Sequence, residues 1–131
     1  MKRFTSKTQK IGEFGEEICI KWLINNKFSI IERNFTLKEG EIDIIALKEE
    51  NYHFIEVKSV SYATTDYIKN NNNIYNPLEN VTREKIKKCY TVIYKYLALH
   101  KIKNSFQFDV YGIYIDKRSL RHKIERIENV F

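Results

Sequence analysis

The sequence has few of the residues that interrupt or cross-link a chain. It contains one proline, four glycines and two cysteines, so few tight turns are expected. Cys19 and Cys89 lie far apart, and neither belongs to a CxxC pair or stands at a metal-ligand spacing from a histidine. This pattern favours two buried thiols in a reducing compartment over a thiolate metal site.

Long apolar runs are also missing. No segment approaches the roughly 18 apolar residues that a membrane span requires, and no apolar stretch follows the basic opening MKRFTSKTQK. We therefore expect a cytoplasmic protein with no membrane partner. The length of 131 residues fits a single domain, and 43% hydrophobic and 31% charged residues are typical of a globular one.

Acidic residues do not balance the basic ones in the second half of the chain. Residues 1–60 contain ten basic and ten acidic side chains, whereas residues 61–131 contain thirteen and seven, which gives a formal net charge of +6. A basic surface attracts polyanions because each neutralised phosphate releases counterions. The charge favours a nucleic-acid partner, although many basic proteins bind none.

Hydrophobic periodicity predicts a mixed α/β order. The predicted elements are a helix over 8–25, strands over 28–37, 41–48 and 52–60, a mobile Asn-rich loop over 61–80, a helix over 81–103, a strand over 106–115, and a closing strand or tail over 119–131. The apolar side of the first helix is predicted to contain Ile11, Phe14, Ile18, Cys19, Trp22 and Leu23. That of the second is predicted to contain Ile86, Cys89, Tyr90, Ile93, Tyr96, Leu97 and His100. Both helices could cover a central sheet.

The second and third strands form a predicted hairpin. If residues 48–51 make the turn, Ile45 lies opposite Phe54 and Ile44 lies opposite Ile55. The hairpin is then apolar on both faces. Strands of this kind are covered on both sides, so the hairpin should lie near the middle of the sheet.

Charged residues continue the same hairpin. The register puts Asp43 opposite Glu56. It also puts Glu41 opposite Lys58, while alternation points Ile42 to the other face. Opposed residues have Cβ atoms about 4.5–5.5 Å apart, so both carboxylates could converge on one divalent cation, without which they would repel each other. Two alternatives stay open: the acids lie in water at the sheet edge, or Lys58 neutralises one of them.

This arrangement fits phosphodiester hydrolysis. A hard cation held by Asp43 and Glu56 would offset charge on the phosphoryl oxygens and acidify a water molecule. Lys58 shares their face and could orient that water or stabilise the transition state. Glu16 borders the apolar side of the first helix and could lean towards the sheet, although periodicity alone favours a solvated acid there.

The residues around these acids resemble a known pattern. An acidic helix residue, an Asp and then Glu-x-Lys on the next strand form the PD-(D/E)xK nuclease signature, and here twelve residues separate Asp43 from Glu56-Val57-Lys58. The longer matching segments are Gly12-x-x-Gly15-Glu16, Arg33-Asn34, Gly40 to Ala46, Phe54 to Lys58, Phe108-Asp109-Val110 and Ile127 to Phe131. Together they resemble the bacterial YraN-like family nearly end to end.

The resemblance implies an α/β, restriction-endonuclease-like fold, in which helices flank a central mixed sheet, similar to archaeal Holliday-junction resolvases. Members of the family are generally described as endonucleases without a settled substrate. The implied catalytic residues are Asp43, Glu56, Lys58 and Glu16, and the implied metal ligands are Asp43, Glu56, Glu16 and Val57.

Two positions depart from the usual signature. Ile42 stands where a proline often precedes the aspartate, and Gln107 stands where an arginine is expected before Phe108-Asp109. The first departure is normal for the family. The second puts in doubt an ion pair that the arginine would make, although no catalytic group is lost.

The second helix is the predicted phosphate track. Between Arg83 and Lys103 the chain holds seven basic residues and a single acid. We assign nucleic-acid binding to Arg83, Lys85 and Lys88, and the resemblance places Lys85 nearest the active side; a solvated basic face is the alternative. Tyrosines of the 61–80 loop could stack on unpaired bases, whereas an ordinary flexible insertion is the simpler interpretation.

The sequence therefore predicts a DNA endonuclease that uses Mg²⁺, or alternatively Mn²⁺. We expect selectivity for branched DNA, because 131 residues leave little room for a separate sequence-reading domain. A homodimer would suit symmetric junction cleavage, although no sequence feature identifies an interface. Two other interpretations stay open: a non-catalytic nucleic-acid-binding adaptor, and a protein-interaction domain with an acidic partner.

Overall fold

A computed structural model describes residues 7–62 and 81–130 of the chain. Its elements follow the order α1 (Lys7–Asn25), β1 (Ser29–Leu37), β2 (Gly40–Lys48), β3 (Asn51–Tyr62), α2 (Arg83–Leu99), β4 (Phe106–Asp116) and β5 (His122–Ile127). The predicted loop over 61–80 lies outside the described residues, except that Ser61 and Tyr62 extend β3. Within the described ranges, neither helix is long and apolar enough to cross a membrane.

The five strands form one mixed sheet in the order β1-β2-β3-β4-β5. Three neighbouring pairs are antiparallel, and β3 and β4 are parallel. The connection between the parallel strands contains α2, as expected for a crossover. Ile44 pairs with Ile55 and Ile45 pairs with Phe54, which confirms the predicted register and the interior position of the hairpin.

Each helix covers its own apolar core. One core joins Leu23 of α1 to Ile55 of β3, and the other joins Val92 of α2 to Phe54 of β3. Since neighbouring residues of a strand point to opposite faces, the helices flank the sheet on both sides. Full burial of side chains such as Phe54 and Ile55 contributes about 1.5–3 kcal/mol each. The architecture is compatible with the predicted restriction-endonuclease-like fold.

The second helix is shorter than predicted. It ends at Leu99, and Lys101 adopts a positive φ of 53°. The Ile102 amide donates to the Leu97 carbonyl at 2.9 Å, and this reversal lets Ile102 pack against the α2 core. His100 is therefore exposed at the helix end, so its predicted place on the apolar side is wrong.

Two predicted faces also differ from the structure. Phe14 is 38% exposed, because Gly15 faces the sheet and an adjacent helical residue is rotated by about 100°. Ile42 packs in the α2 core together with Ile45, although strict alternation places it on the opposite face. The residues of β2 that precede Ile44 do not pair with β3, so this part of the strand can twist away from regular alternation.

A buried polar network ties β3 and β4 to the end of the chain. Asp109 is fully buried, and its Oδ2 lies 2.8 Å from His53 Nδ1. Asp109 Oδ1 accepts hydrogen bonds from Gln107 Nε2 at 2.8 Å and from the Asn129 amide at 3.1 Å. Gln107 therefore contacts this carboxylate through a hydrogen bond, at the position where an arginine was expected to form an ion pair.

Candidate active site

The candidate site is built where β2 and β3 separate. In the described part of the chain, their backbone pairing stops at Ile44 and Ile55, so the predicted pair of Asp43 and Glu56 is not part of the ladder. Asp43 Oδ2 instead accepts the Val57 N–H at 2.8 Å. A side-chain carboxylate thus replaces a backbone acceptor, and it is held beside β3 at the point where the strands diverge.

Two lysines converge on Glu56. Its side chain is buried on the α2 side of β3, and its Oε1 lies 3.3 Å from Lys58 Nζ and 3.2 Å from Lys85 Nζ. Lys85 belongs to the first turn of α2, where its N–H donates to the N-cap hydroxyl of Thr82 at 3.1 Å. The cap fixes the start of the helix. Its position directs Lys85 to the same carboxylate that Lys58 reaches from the strand.

The pKa values of Lys58 and Lys85 shift in opposite directions. Burial lowers the pKa of Lys58, and the neighbouring Lys85 ammonium lowers it further, against the opposing charge of Glu56. Burial also works against the charge of Lys85, but contact with Lys58 and the charge of Glu56 outweigh it and raise its pKa. Lys58 is therefore the ammonium that gives up its proton more readily.

The Asp43 carboxyl is strongly perturbed. Burial and the neighbouring charge of Glu56 raise its pKa to about 8, with a smaller contribution from Glu16. The hydrogen bond from Val57 opposes this rise by stabilising the carboxylate. Clustered like charges of this kind are typical of functional sites, although structural networks also produce them.

Helix α1 packs closely against β3 at Gly15. A Cβ atom on Gly15 would lie 1.7 Å from Ser59 Oγ and 2.8 Å from Ser59 Cβ, so a larger residue would push α1 away from β3. The close approach carries the next residue, Glu16, towards the sheet. Glu16 is partly buried, and its charge helps to raise the pKa of Asp43. The structure favours the predicted lean towards the sheet over a fully solvated acid.

Asp43, Glu56 and Lys85 line a cavity of about 250 Å³. Its lining consists of Glu39, Gly40, Glu41, Asp43, Glu56, Lys85, Lys88 and Cys89. Two of the three predicted nucleic-acid-binding residues, Lys85 and Lys88, therefore face the acids, whereas Arg83 lines a different groove. Burial, followed by the charge of Glu56, raises the pKa of Cys89 to about 11, which keeps it a thiol at neutral pH.

The cavity is lined by carboxylate oxygens, which are the donors that a hard cation prefers. Residues 7–62 and 81–130 contain no group of three or more His, Cys, Asp or Glu side chains arranged to hold a metal. Asp43 and Glu56 supply two carboxylates, and Val57 can contribute only through its backbone. Mg²⁺ is often held by one or two carboxylates, while waters and substrate phosphates complete its octahedral shell. The donor set therefore suits Mg²⁺ better than a cation that needs an all-protein cage.

Sequence reasoning missed two features of this site. It placed Lys85 on a phosphate track but did not foresee its contact with Glu56. It also gave no role to Gly15, although the spacing of Gly12 and Gly15 on a predicted helix is a signal for close approach of another element. Of these two glycines, Gly15 alone makes the approach, since a Cβ atom on Gly12 would meet no atom within 4 Å.

Comparison with known proteins gives a consistent family match. A family model described as "Uncharacterised protein family UPF0102" matches residues 15–113. A UPF0102 protein of Clostridium perfringens is 33% identical over 132 residues, which cover 100% of this chain and 98% of the relative. A UPF0102 protein of Campylobacter lari is 40% identical over 113 residues, which cover 86% of this chain and 91% of the relative. A UPF0102 protein of Clostridioides difficile is 35% identical over 112 residues, which cover 85% of this chain and 90% of the relative.

Proposed function

The chain belongs to the uncharacterised protein family UPF0102, and we propose that it is a Mg²⁺-dependent DNA endonuclease of the PD-(D/E)xK type. The observation that carries the proposal is that Asp43 and Glu56 line one cavity, while Lys58 and Lys85 both contact the Glu56 carboxylate. The family name assigns no activity, so the proposal rests on the chemistry of this site. The raised pKa of Asp43 reflects burial of the carboxyl and, after it, the neighbouring charge of Glu56, and a divalent cation would offset both.

Asp43 and Glu56 would hold the cation, and Glu16 would add negative charge nearby. Mn²⁺ would suit the same oxygen donors. When bound, the cation supplies positive charge that offsets the charge developing on the cleaved phosphate. Asp43 would release the proton that burial and charge crowding make it retain in the metal-free protein. Cation binding should therefore release protons near neutral pH.

Lys58 and Lys85 would have different tasks in phosphodiester cleavage. Lys58 has a lowered pKa and adjoins Glu56 on the same strand face, so it could orient the attacking water by a hydrogen bond. Lys85 keeps its charge more firmly and could donate to a phosphoryl oxygen. Both ammonium groups already converge on Glu56, so little reorganisation is needed to present positive charge to a phosphate.

The proposed substrate is branched DNA. Lys85 and Lys88 line the cavity beside the acids, which supplies cations for phosphates on either side of the cleaved bond. The domain offers no separate element for reading bases within the described residues. Recognition would then depend on the shape and charge of the DNA rather than on its sequence.

Cleavage assays test this proposal directly. Four-way, flapped, single-stranded and duplex DNA are incubated with the protein and with Mg²⁺, Mn²⁺ or EDTA. We expect cation-dependent cleavage of a branched substrate, and a loss of kcat on the order of 10²-fold or more in Glu56→Gln and in Lys58→Ala. Glu13→Gln and Lys21→Gln, which alter exposed side chains of α1, should retain wild-type rates. Cleavage that is unchanged in both site variants would refute the assignment.

One observation favours a second candidate, a non-catalytic nucleic-acid-binding module. Lys58 and Lys85 already neutralise Glu56, so the cluster can persist in a folded protein without a cation. Such a module would bind DNA with an affinity that falls steeply with salt, yet cleave none of the substrates. A protein that binds no DNA even at low ionic strength would contradict both candidates.

A further inference from the structure

Helix α2 carries a second cationic surface beside the catalytic cavity. A groove of about 770 Å³ is lined by Arg83, Ile86, Lys87, Tyr90, Thr91 and Tyr94, and we refer to it as the tyrosine groove. None of these six residues lines the cavity that contains Asp43 and Glu56. Arg83, Lys87, Tyr90 and Tyr94 recur at three- and four-residue steps, so they form one stripe along the helix.

The aromatic part of the groove has one supported and one exposed ring. Tyr90 donates a hydrogen bond from its hydroxyl to the Val130 carbonyl, and its ring packs edge-on against Phe108 with centroids 5.6 Å apart. Tyr94 is 58% exposed, and its ring centroid lies 6.0 Å from that of Tyr90. The two rings together offer an aromatic surface to solvent on a rigid helix.

The charged part of the groove is of one sign. Arg83 and Lys87 are exposed, and no acid is among the described lining residues. Glu84 is the one acid of α2, and it lies 3.9 Å from Lys88 rather than in the groove. Cations beside exposed aromatic rings are what proteins use to hold single strands, since phosphates meet the charges and unpaired bases stack on the rings. Bases inside a duplex have no free face for such stacking.

We propose that the tyrosine groove binds a single-stranded nucleic-acid segment, with a base stacked on Tyr94 and phosphates held by Arg83 and Lys87. On the adjoining side of α2, Lys85 and Lys88 line the catalytic cavity, so the cationic surface continues around the helix from cavity to groove. The segment is the unpaired arm of a DNA substrate whose duplex part lies at the acids. This last step rests on the proposed endonuclease function, whereas binding of the single strand does not.

Equilibrium binding of a labelled oligothymidylate in EDTA tests the groove. Tyr94→Ala should weaken the affinity by at least about 5-fold, because one stacked base is lost. Tyr94→Phe keeps the ring and should bind like the wild type. Tyr94→Leu keeps an apolar side chain against Phe106 but cannot stack, so it should weaken binding as alanine does. Lys87→Gln should reduce the salt dependence of binding by about one ion.

Two variants on α1 serve as matched controls. Phe14→Ala removes another partly exposed aromatic ring, and Lys21→Gln removes another exposed cation. Neither should change oligothymidylate binding. A wild-type protein that does not bind the oligonucleotide, or equal affinities of the wild type, Tyr94→Ala and Tyr94→Leu, would overturn the inference.

Cleavage kinetics separate this inference from the proposed function. On DNA with an unpaired arm, Tyr94→Ala should raise KM and leave kcat nearly unchanged. On DNA without unpaired bases it should match the wild type. Weakened oligothymidylate binding in a protein that cleaves no DNA would support the groove and contradict the endonuclease. Cleavage that requires Glu56 but is indifferent to Tyr94 on every substrate would support the endonuclease and contradict the arm-binding role.

Discussion

The Asp43 carboxyl accepts a hydrogen bond from the Val57 amide, while its burial and the charges of Glu56 and Glu16 oppose its ionisation. Its environment therefore contains one contact that favours the carboxylate and several that favour the neutral acid. The neutral acid prevails, since its pKa rises to about 8. At the scale of the residue, the fold holds the acidic groups of the site closer together than they would lie in the unfolded, solvated chain.

Burial and charge crowding at Asp43 make the stability of the metal-free protein depend on pH. The pKa of Asp43 is about 8 in the folded protein and near 3.8 in the unfolded chain. The contribution of the protonated carboxyl to folding stability is therefore fully present below pH 3.8 and is lost as pH rises towards about 8. Asp43→Asn removes this dependence and keeps an acceptor for the Val57 amide. We expect the free energy of unfolding of Asp43→Asn, measured in urea without metal, to rise relative to that of the wild type by up to about 1.4 kcal/mol per pH unit across that window.

Glu13→Gln, which alters an exposed acid of α1, is the control for this pH series and should follow the wild type. Saturating Mg²⁺ should stabilise the wild type and have less effect on Asp43→Asn, because a proposed ligand for the cation is lost. If Asp43→Asn is less stable than the wild type near pH 8 without metal, the crowded-acid account is wrong.

At the scale of the element, the contact of Gly15 with Ser59 determines where α1 lies on β3. Gly15→Ala would place a Cβ atom 1.7 Å from Ser59 Oγ. We expect a loss of about 1–3 kcal/mol in the free energy of unfolding. A displaced α1 would also move Glu16 away from Asp43, so the pH-dependent loss of stability assigned to Asp43 should weaken. Urea unfolding of the variant across pH 4–8 measures both effects.

Ser59→Gly is the compensating change, since it removes both atoms that the new Cβ would meet. Ser59 Oγ is buried without a hydrogen-bond partner among the described residues, so its loss leaves no group unsatisfied. The double variant should recover part of the stability that Gly15→Ala loses. Additive losses in the double variant would show that the clash does not position α1.

At the scale of the whole molecule, the Asp109 network joins parts of the chain that are distant in sequence. Its carboxylate binds His53 of β3, Gln107 of β4 and the Asn129 amide after β5. Asp109→Ala would remove the hydrogen-bond partner of the buried His53 ring, the partly buried Gln107 side chain and the Asn129 amide. We expect the free energy of unfolding to fall by about 3 kcal/mol or more in urea denaturation. Glu128→Gln, at an exposed neighbouring position, should leave it within about 0.5 kcal/mol.

The folded fraction of Asp109→Ala should keep the metal response proposed for the wild type, because Asp109 does not line the cavity that contains Asp43 and Glu56. A variant that unfolds like the wild type would show that the network contributes little to stability. A variant that is stable but no longer responds to Mg²⁺ would connect the network to the site instead.

The sequence by itself determined the element order, the hairpin register and the acids that lie on it. Period-two alternation and the pairing of Ile44 with Ile55 depend on local geometry and on burial of apolar side chains, which neighbouring residues already encode. The helix patterns likewise located α1 and most of α2. The family resemblance added Glu16, which periodicity alone left as a solvated acid.

Only the tertiary structure decided how these pieces meet. The ladder between β2 and β3 does not extend to the residues before Ile44. Asp43 therefore accepts a hydrogen bond from the Val57 amide instead of pairing with Glu56. The contact of Lys85 with Glu56 joins residues 29 positions apart in sequence, on a helix and a strand whose separation no local pattern sets. Local patterns encode which face a side chain occupies, whereas its partners across the core depend on how complete elements pack against one another.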